Sequence, residues 1–147
     1  MSELMWIRSH VERCLQQVWQ TPELVVDDDG DHPFRRGTAA GWVRVLPDEP
    51  HMVRVFAHAV TGVRRTARLL VELNEIQGEA LAGAVLWSDG LVIVQQTVPP
   101  HGLTPQALGA SLRAVGGLAA HIGPLLASVH GGDTPFPLPS GVDEEVA

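Results

Sequence analysis

Cysteine is almost missing from this 147-residue chain. Cys14 is the single one, so no internal disulfide framework can form, and a reducing cytosol is the expected compartment. Positive charge is short as well. Ten Lys+Arg against seventeen Asp+Glu leave a net charge of -7, with the arginines scattered among acids. Nucleic-acid binding depends on clustered cations that release counterions from phosphate, so no nucleic-acid partner is expected. Long apolar runs are lacking too. The opening "MSELMWIRSHVERCLQQVW" is broken by Arg8, His10, Glu12 and Arg13, unlike a signal peptide's core, and no run approaches the ~20 apolar residues of a bilayer span. The expectation is a soluble cytoplasmic protein with no membrane partner.

Catalytic signatures are absent in turn. The chain has no G-x-S-x-G, no Walker glycine-lysine loop and no G-x-G-x-x-G after a strand. Residues 37 to 41 are rich in small side chains but feed a strand, so they offer phosphate no helix N-terminus. Glu72 and Glu75 are carboxylates able in principle to act as acid and base, but a solvated helix face explains them more simply. No enzyme, no cofactor and no catalytic residue is expected.

What is present suits one α+β domain. Hydrophobic residues make up 45% and charged ones 18%, enough apolar material to bury roughly 70% of the unfolded surface of such a chain. Ser2 caps a helix running to about Gln20, with Leu4, Ile7, Val11, Leu15, Val18 and Trp19 on its apolar side. Residues 24–26 form a short strand candidate. Two β-rich segments, 40–46 and 51–60, flank the turn Pro47-Asp48-Glu49-Pro50. A second helix is predicted over 63–77 and ended by Gly78. Asp89-Gly90 marks a two-residue hairpin of type I′. Thr104-Pro105 starts a third helix with Leu108, Leu112, Val115, Ala119 and Ile122 on its buried side, and Gly123-Pro124 is expected to kink or restart it. The order is α-β-β-β-α-β-β-α with a largely antiparallel five-stranded sheet. Residues 1–130 form the domain. Residues 131–147 form a Pro/Gly-rich acidic tail, expected to be disordered, whose "PFPLP" could dock on a groove as a polyproline-type segment.

The densest chemistry is "DDDGDHPFRRG", residues 27–37. An EF-hand loop needs Gly at its sixth position and Glu at its twelfth. Counting from Asp27 puts His32 and Thr38 there, and counting from Asp29 puts Phe34 at the glycine. No metal site is expected. The run reads as a turn in which Gly30 takes a positive φ, the aspartates accept backbone hydrogen bonds, and Arg35 or Arg36 offsets their charge. His10 and Cys14 stand at i, i+4, but two ligands fall short of the three or four that zinc takes.

The sheet surface is the remaining candidate. A two-residue turn puts Val85, Trp87, Val92 and Val94 on one face and Ala84, Leu86, Ile93 and Gln95 on the other, so both faces are apolar. In "WVRVLPDEPHMVRVF" every register leaves bulky residues on both sides, the parity resting on an unknown turn length. Three helices cover one face of five strands, not two. The other face requires a client segment or a second copy of the chain. Trp19, Trp42, Phe56, Trp87 and Val92 are the expected contacts, because aromatics supply large contact area per ordered side chain.

Four stretches in this order and spacing carry a resemblance: "DDDGDHPFRRGTA"; "GWVRVL" with "VRVFAHAV"; "LLVELNE" before "DGLVIV"; and "LTPQALGASLRAV" with "HGG". Together they resemble the actinobacterial branch of TY-Chap domains, the type III secretion chaperone and YbjN-like fold. Thr38 stands where Ser is expected, and Gln77 where a second Asn often follows "LNE". The resemblance implies non-catalytic binding of client peptide segments, commonly by a homodimer.

Overall fold

The computed structural model describes residues 2–80 and 83–138. Its elements are α1 (Glu3–Val18), β1 (His32–Arg36), β2 (Ala39–Val45), β3 (Val53–Val60), α2 (Ala67–Glu79), β4 (Ala84–Ser88), β5 (Leu91–Val98) and α3 (Pro105–His130). The order is the expected α-β-β-β-α-β-β-α. The strands form one antiparallel sheet in spatial order β1-β2-β3-β5-β4.

Each helix starts where a hydroxyl can satisfy an orphan amide. The side chains of Ser2, Thr66 and Thr104 accept from the backbone N–H of Met5, Leu69 and Ala107. The second helix thus begins at Ala67, later than the expected residue 63. Val63 is drawn to the sheet instead: its N–H donates to the Gly90 carbonyl and its own carbonyl accepts from the Trp87 indole at 2.9 Å. The first strand also differs from expectation. Residues 24–26 are not a strand; β1 is His32–Arg36, paired with β2 from His32↔Val43 to Arg36↔Ala39. Pro33 and two arginines disguise it, and an edge strand tolerates a proline that a central one would not.

The predicted buried positions of α3 are all buried, and Gly123 and Leu126 join them. No break occurs at Gly123-Pro124, and the helix runs on to His130. Close approach explains the glycine: a Cβ on Gly123 would lie 2.4 Å from the Ala59 carbonyl oxygen of β3. By length and mean composition alone α3 is long and apolar enough for a span, although Arg113 and His121 interrupt its apolar run. Here it is the core helix, packed on β1, β2, β3 and β5 with α1 against it.

All the helices serve one side of the sheet. Ala39, Val43, Val53, Val55, Ala57, Val92 and Val94 point into that core and are almost wholly buried. Beyond α3, Asp133 and Thr61 exchange backbone hydrogen bonds of 2.8 and 2.9 Å, and the Phe136 N–H donates to the Thr38 carbonyl. The Arg35 guanidinium sits 4.1 Å above the Phe136 ring, so the start of "PFPLP" lies against the β1–β2 turn. The rest of the expected tail, 139–147, is outside the described residues.

Candidate functional site: the outer sheet face

The hairpin turn sets the parity of β4 and β5. Asp89 and Gly90 hold φ of 48° and 84°, a two-residue loop that pairs Trp87 with Val92 and Leu86 with Ile93. Register between β2 and β3 pairs Trp42 with Phe56 and Val43 with Val55, resolving the parity that sequence left open. Core-facing valines therefore alternate with outward Trp42, Phe56, His58, Leu86 and Ile93, all half-buried.

These outward rings form a cluster. Trp42 stacks on Phe56 with centroids 5.4 Å apart, and the His58 ring lies 4.6 Å from Trp42 and 6.3 Å from Phe56. Burial pushes His58 below the ordinary imidazole pKa, so the neutral form is favoured. Cations frame the rings. The Arg44 guanidinium lies 4.8 Å from the Phe56 centroid, and Arg54 stands directly opposite Arg44 across the ladder. Like charges in that relation repel. Asp31 engages Arg44, whereas Arg54 reaches only the Thr97 hydroxyl, and no carboxylate among the described residues pairs with it.

Of the expected contacts, the structure brings together Trp42 and Phe56. Val92 is fully buried in the core, and Trp87 packs on that core with its indole committed to Val63. Trp19 caps the C-terminus of α1, half-buried against the core and apart from the cluster. Sequence reasoning missed His58, whose signal was its position two residues beyond Phe56 on one strand face. It also missed Trp6. That exposed ring stacks between His10 and His101, at 5.3 and 5.6 Å.

Beside α1 lies a cleft of about 670 Å³ between the helix and the acidic turn, reaching from Arg8 and Glu12 to Asp31 and Arg44. Arg44 thus joins this cleft to the aromatic face. The turn itself is self-satisfied. Gly30 has φ 83°, and the Asp27 Oδ1 accepts from the N–H groups of Asp29 and Asp31. The charge partner is Arg44 of β2, not Arg35 or Arg36 as expected. Asp27, Asp29 and Asp31 each bring an oxygen within 4.8 Å of the others. Of these, Asp27 Oδ1 already accepts two backbone amides and the Asp31 carboxylate holds the Arg44 guanidinium.

The other chemical candidates are likewise engaged. The His10 Nε2 makes its 2.7 Å hydrogen bond to the Leu103 carbonyl, with the Cys14 sulfur at 3.9 Å. Burial raises the Cys14 thiol pKa, which disfavours the reactive thiolate. Glu72 bonds to His130 on α3 and to Arg68, and the His130 hydrogen bond holds its pKa below the usual carboxylate value.

Comparison with known proteins agrees with this architecture. A chain in the crystal structure of the ExsC–ExsE complex superposes with a TM-score of 0.63 at 19% identity, over 80% of this chain and 94% of that one. At that identity the likeness establishes the secretion-chaperone fold. No curated protein matches the sequence. The family model described as T3SS (YopN, CesT) and YbjN peptide-binding chaperone 1 matches residues 5–138. This chain belongs to that TY-Chap1 family of peptide-binding chaperones.

Proposed function

We propose that the protein is a non-catalytic chaperone that receives an extended segment of a client protein on its outer sheet face. One observation carries the proposal: Trp42, Phe56, His58, Leu86 and Ile93 form an apolar face that the chain's helices leave uncovered. An extended peptide laid across strands presents alternate side chains, which suits a surface of this kind. The cleft beside α1 continues the track through Arg44. We take the compartment to be the cytosol, with which the buried free thiol of Cys14 agrees.

A homodimer joined through the same face is the second reading, favoured by the size and continuity of the apolar cluster. Charge favours a client over a self-pair. A second copy would bring its own Arg44 and Arg54 to a face that already opposes arginine to arginine.

Indole NMR separates these readings. Peptides selected from a displayed library are titrated into the ¹⁵N-labelled chain while light scattering follows its mass. The Trp42 indole signal is expected to shift and that of Trp87, committed to Val63 in the core, to stay. A Trp42 signal indifferent to every selected peptide rejects the site. A dimer that peptide does not dissociate, with Trp42 already protected in it, supports the self-pair.

A further inference from the structure

A second apolar surface lies in the helical layer. Between α2 and α3 runs a groove of about 500 Å³ floored by Ile76, Leu118, Ile122, Leu125 and Val129. Leu125 and Val129 are 60% and 51% exposed, a large apolar area for a helix whose other side is core. One wall carries Glu72, Glu75 and Glu79, which helical spacing puts on one edge of α2. Glu72 is tied to His130 across the groove, whereas Glu75 and Glu79 are exposed and pair with no cation among the described residues. The lining contains no lysine or arginine.

We propose that this groove docks a basic amphipathic helix of another polypeptide. An extended segment does not fit, because both walls are helices whose backbone groups are satisfied internally and offer a strand nothing to pair with. A helix brings its own backbone hydrogen bonds and needs only an apolar stripe and flanking cations. The floor from Leu118 to Val129 spans about 16 Å, roughly three turns, which sets the occupant's length. A second copy of this chain fits poorly, since it would set its own Glu75 and Glu79 against these.

The test uses the full chain and three labelled peptides of about four turns: a Leu/Lys amphipathic helix, a Leu/Glu counterpart, and a scrambled Leu/Lys sequence without a stripe. Fluorescence anisotropy at about 0.15 M salt limits non-specific attraction to the net negative chain. The Leu/Lys helix is expected to bind at least about tenfold tighter than the other two, a difference of about 1.4 kcal/mol. Leu125→Asp, at an exposed position, is expected to weaken it about tenfold. The double variant Glu75→Lys with Glu79→Lys is expected to reverse the preference toward the Leu/Glu helix. Phe56→Asp on the outer sheet face is expected to change nothing here, which separates this groove from the client face.

Melting curves check that each variant is folded, and Leu125→Ala serves as a milder probe if Leu125→Asp is not. A preference unmoved by the charge reversal, equal binding of the scrambled peptide, or a wild-type dimer dissolved by Leu125→Asp overturns the proposal.

Discussion

Arg44 of β2 grips the carboxylate of Asp31 side-on: its Nε donates at 3.0 Å to each oxygen, and its Nη2 donates to Oδ2 at 2.6 Å. The side chain of Asp31 is 4% exposed and that of Arg44 40%, so the acid sits inside and the cation keeps its contact with water. This pair pins the acidic turn to the sheet and presents Arg44 beside Phe56. Asp31→Asn removes the charge and leaves a buried amide in place of a bidentate acceptor. It is expected to destabilise the chain by about 1–2 kcal/mol, the lower range for a lost charged hydrogen bond, since Arg44 can turn to solvent. A urea midpoint lowered with unchanged slope is the readout. Binding at the outer face should weaken as well, because Arg44 loses its anchor.

Two glycines of α3 should respond in opposite directions to the same substitution. Gly117 has open space around its missing Cβ, so Gly117→Ala is expected to stabilise by about 0.5–1 kcal/mol through helix propensity alone. Gly123 would place its Cβ 2.4 Å from the Ala59 carbonyl oxygen, and backbone cannot step aside cheaply. Gly123→Ala is expected to destabilise by about 1–3 kcal/mol despite the better propensity. Thermal or urea unfolding of the two variants decides it, and equal shifts of one sign would contradict the packing described here.

Much of this fold could be read from local signals. Thr104-Pro105 and the apolar spacing beyond it located α3 and its buried side, because capping and periodicity act within a few residues. Asp89-Gly90 fixed the hairpin parity for the same reason. What escaped depended on distant partners. The strand at His32–Arg36 exists through pairing with β2, whereas its own residues advertise a turn. Asp31 meets Arg44, thirteen positions away, rather than the neighbouring arginines. At the candidate site, Trp42 and Phe56 were legible as large rings on strands. Their mutual stacking, and the commitment of Trp87 and Val92 to the core, needed the register across β2 and β3 and the position of Val63.

His58 links the outer face to pH. Burial lowers its pKa in the folded chain, so the unfolded chain takes up a proton first as pH falls. Its contribution is therefore fully present above the unfolded imidazole value near 6.5 and is lost as pH drops toward the lower folded value. From about pH 7.5 to about pH 5.5 the wild-type melting temperature should fall more steeply than that of His58→Gln. Parallel falls in the two proteins would show that His58 is not the group responsible.

The central claim is that the uncovered aromatic face of the sheet is where a client segment binds. It is tested most directly by the affinity of one library-selected peptide for three proteins: wild type, Phe56→Asp and Leu125→Asp. The account predicts at least about a tenfold loss for Phe56→Asp, with a cooperative melting curve confirming that the variant is folded, and wild-type affinity for Leu125→Asp. Undiminished binding by a folded Phe56→Asp variant would contradict it.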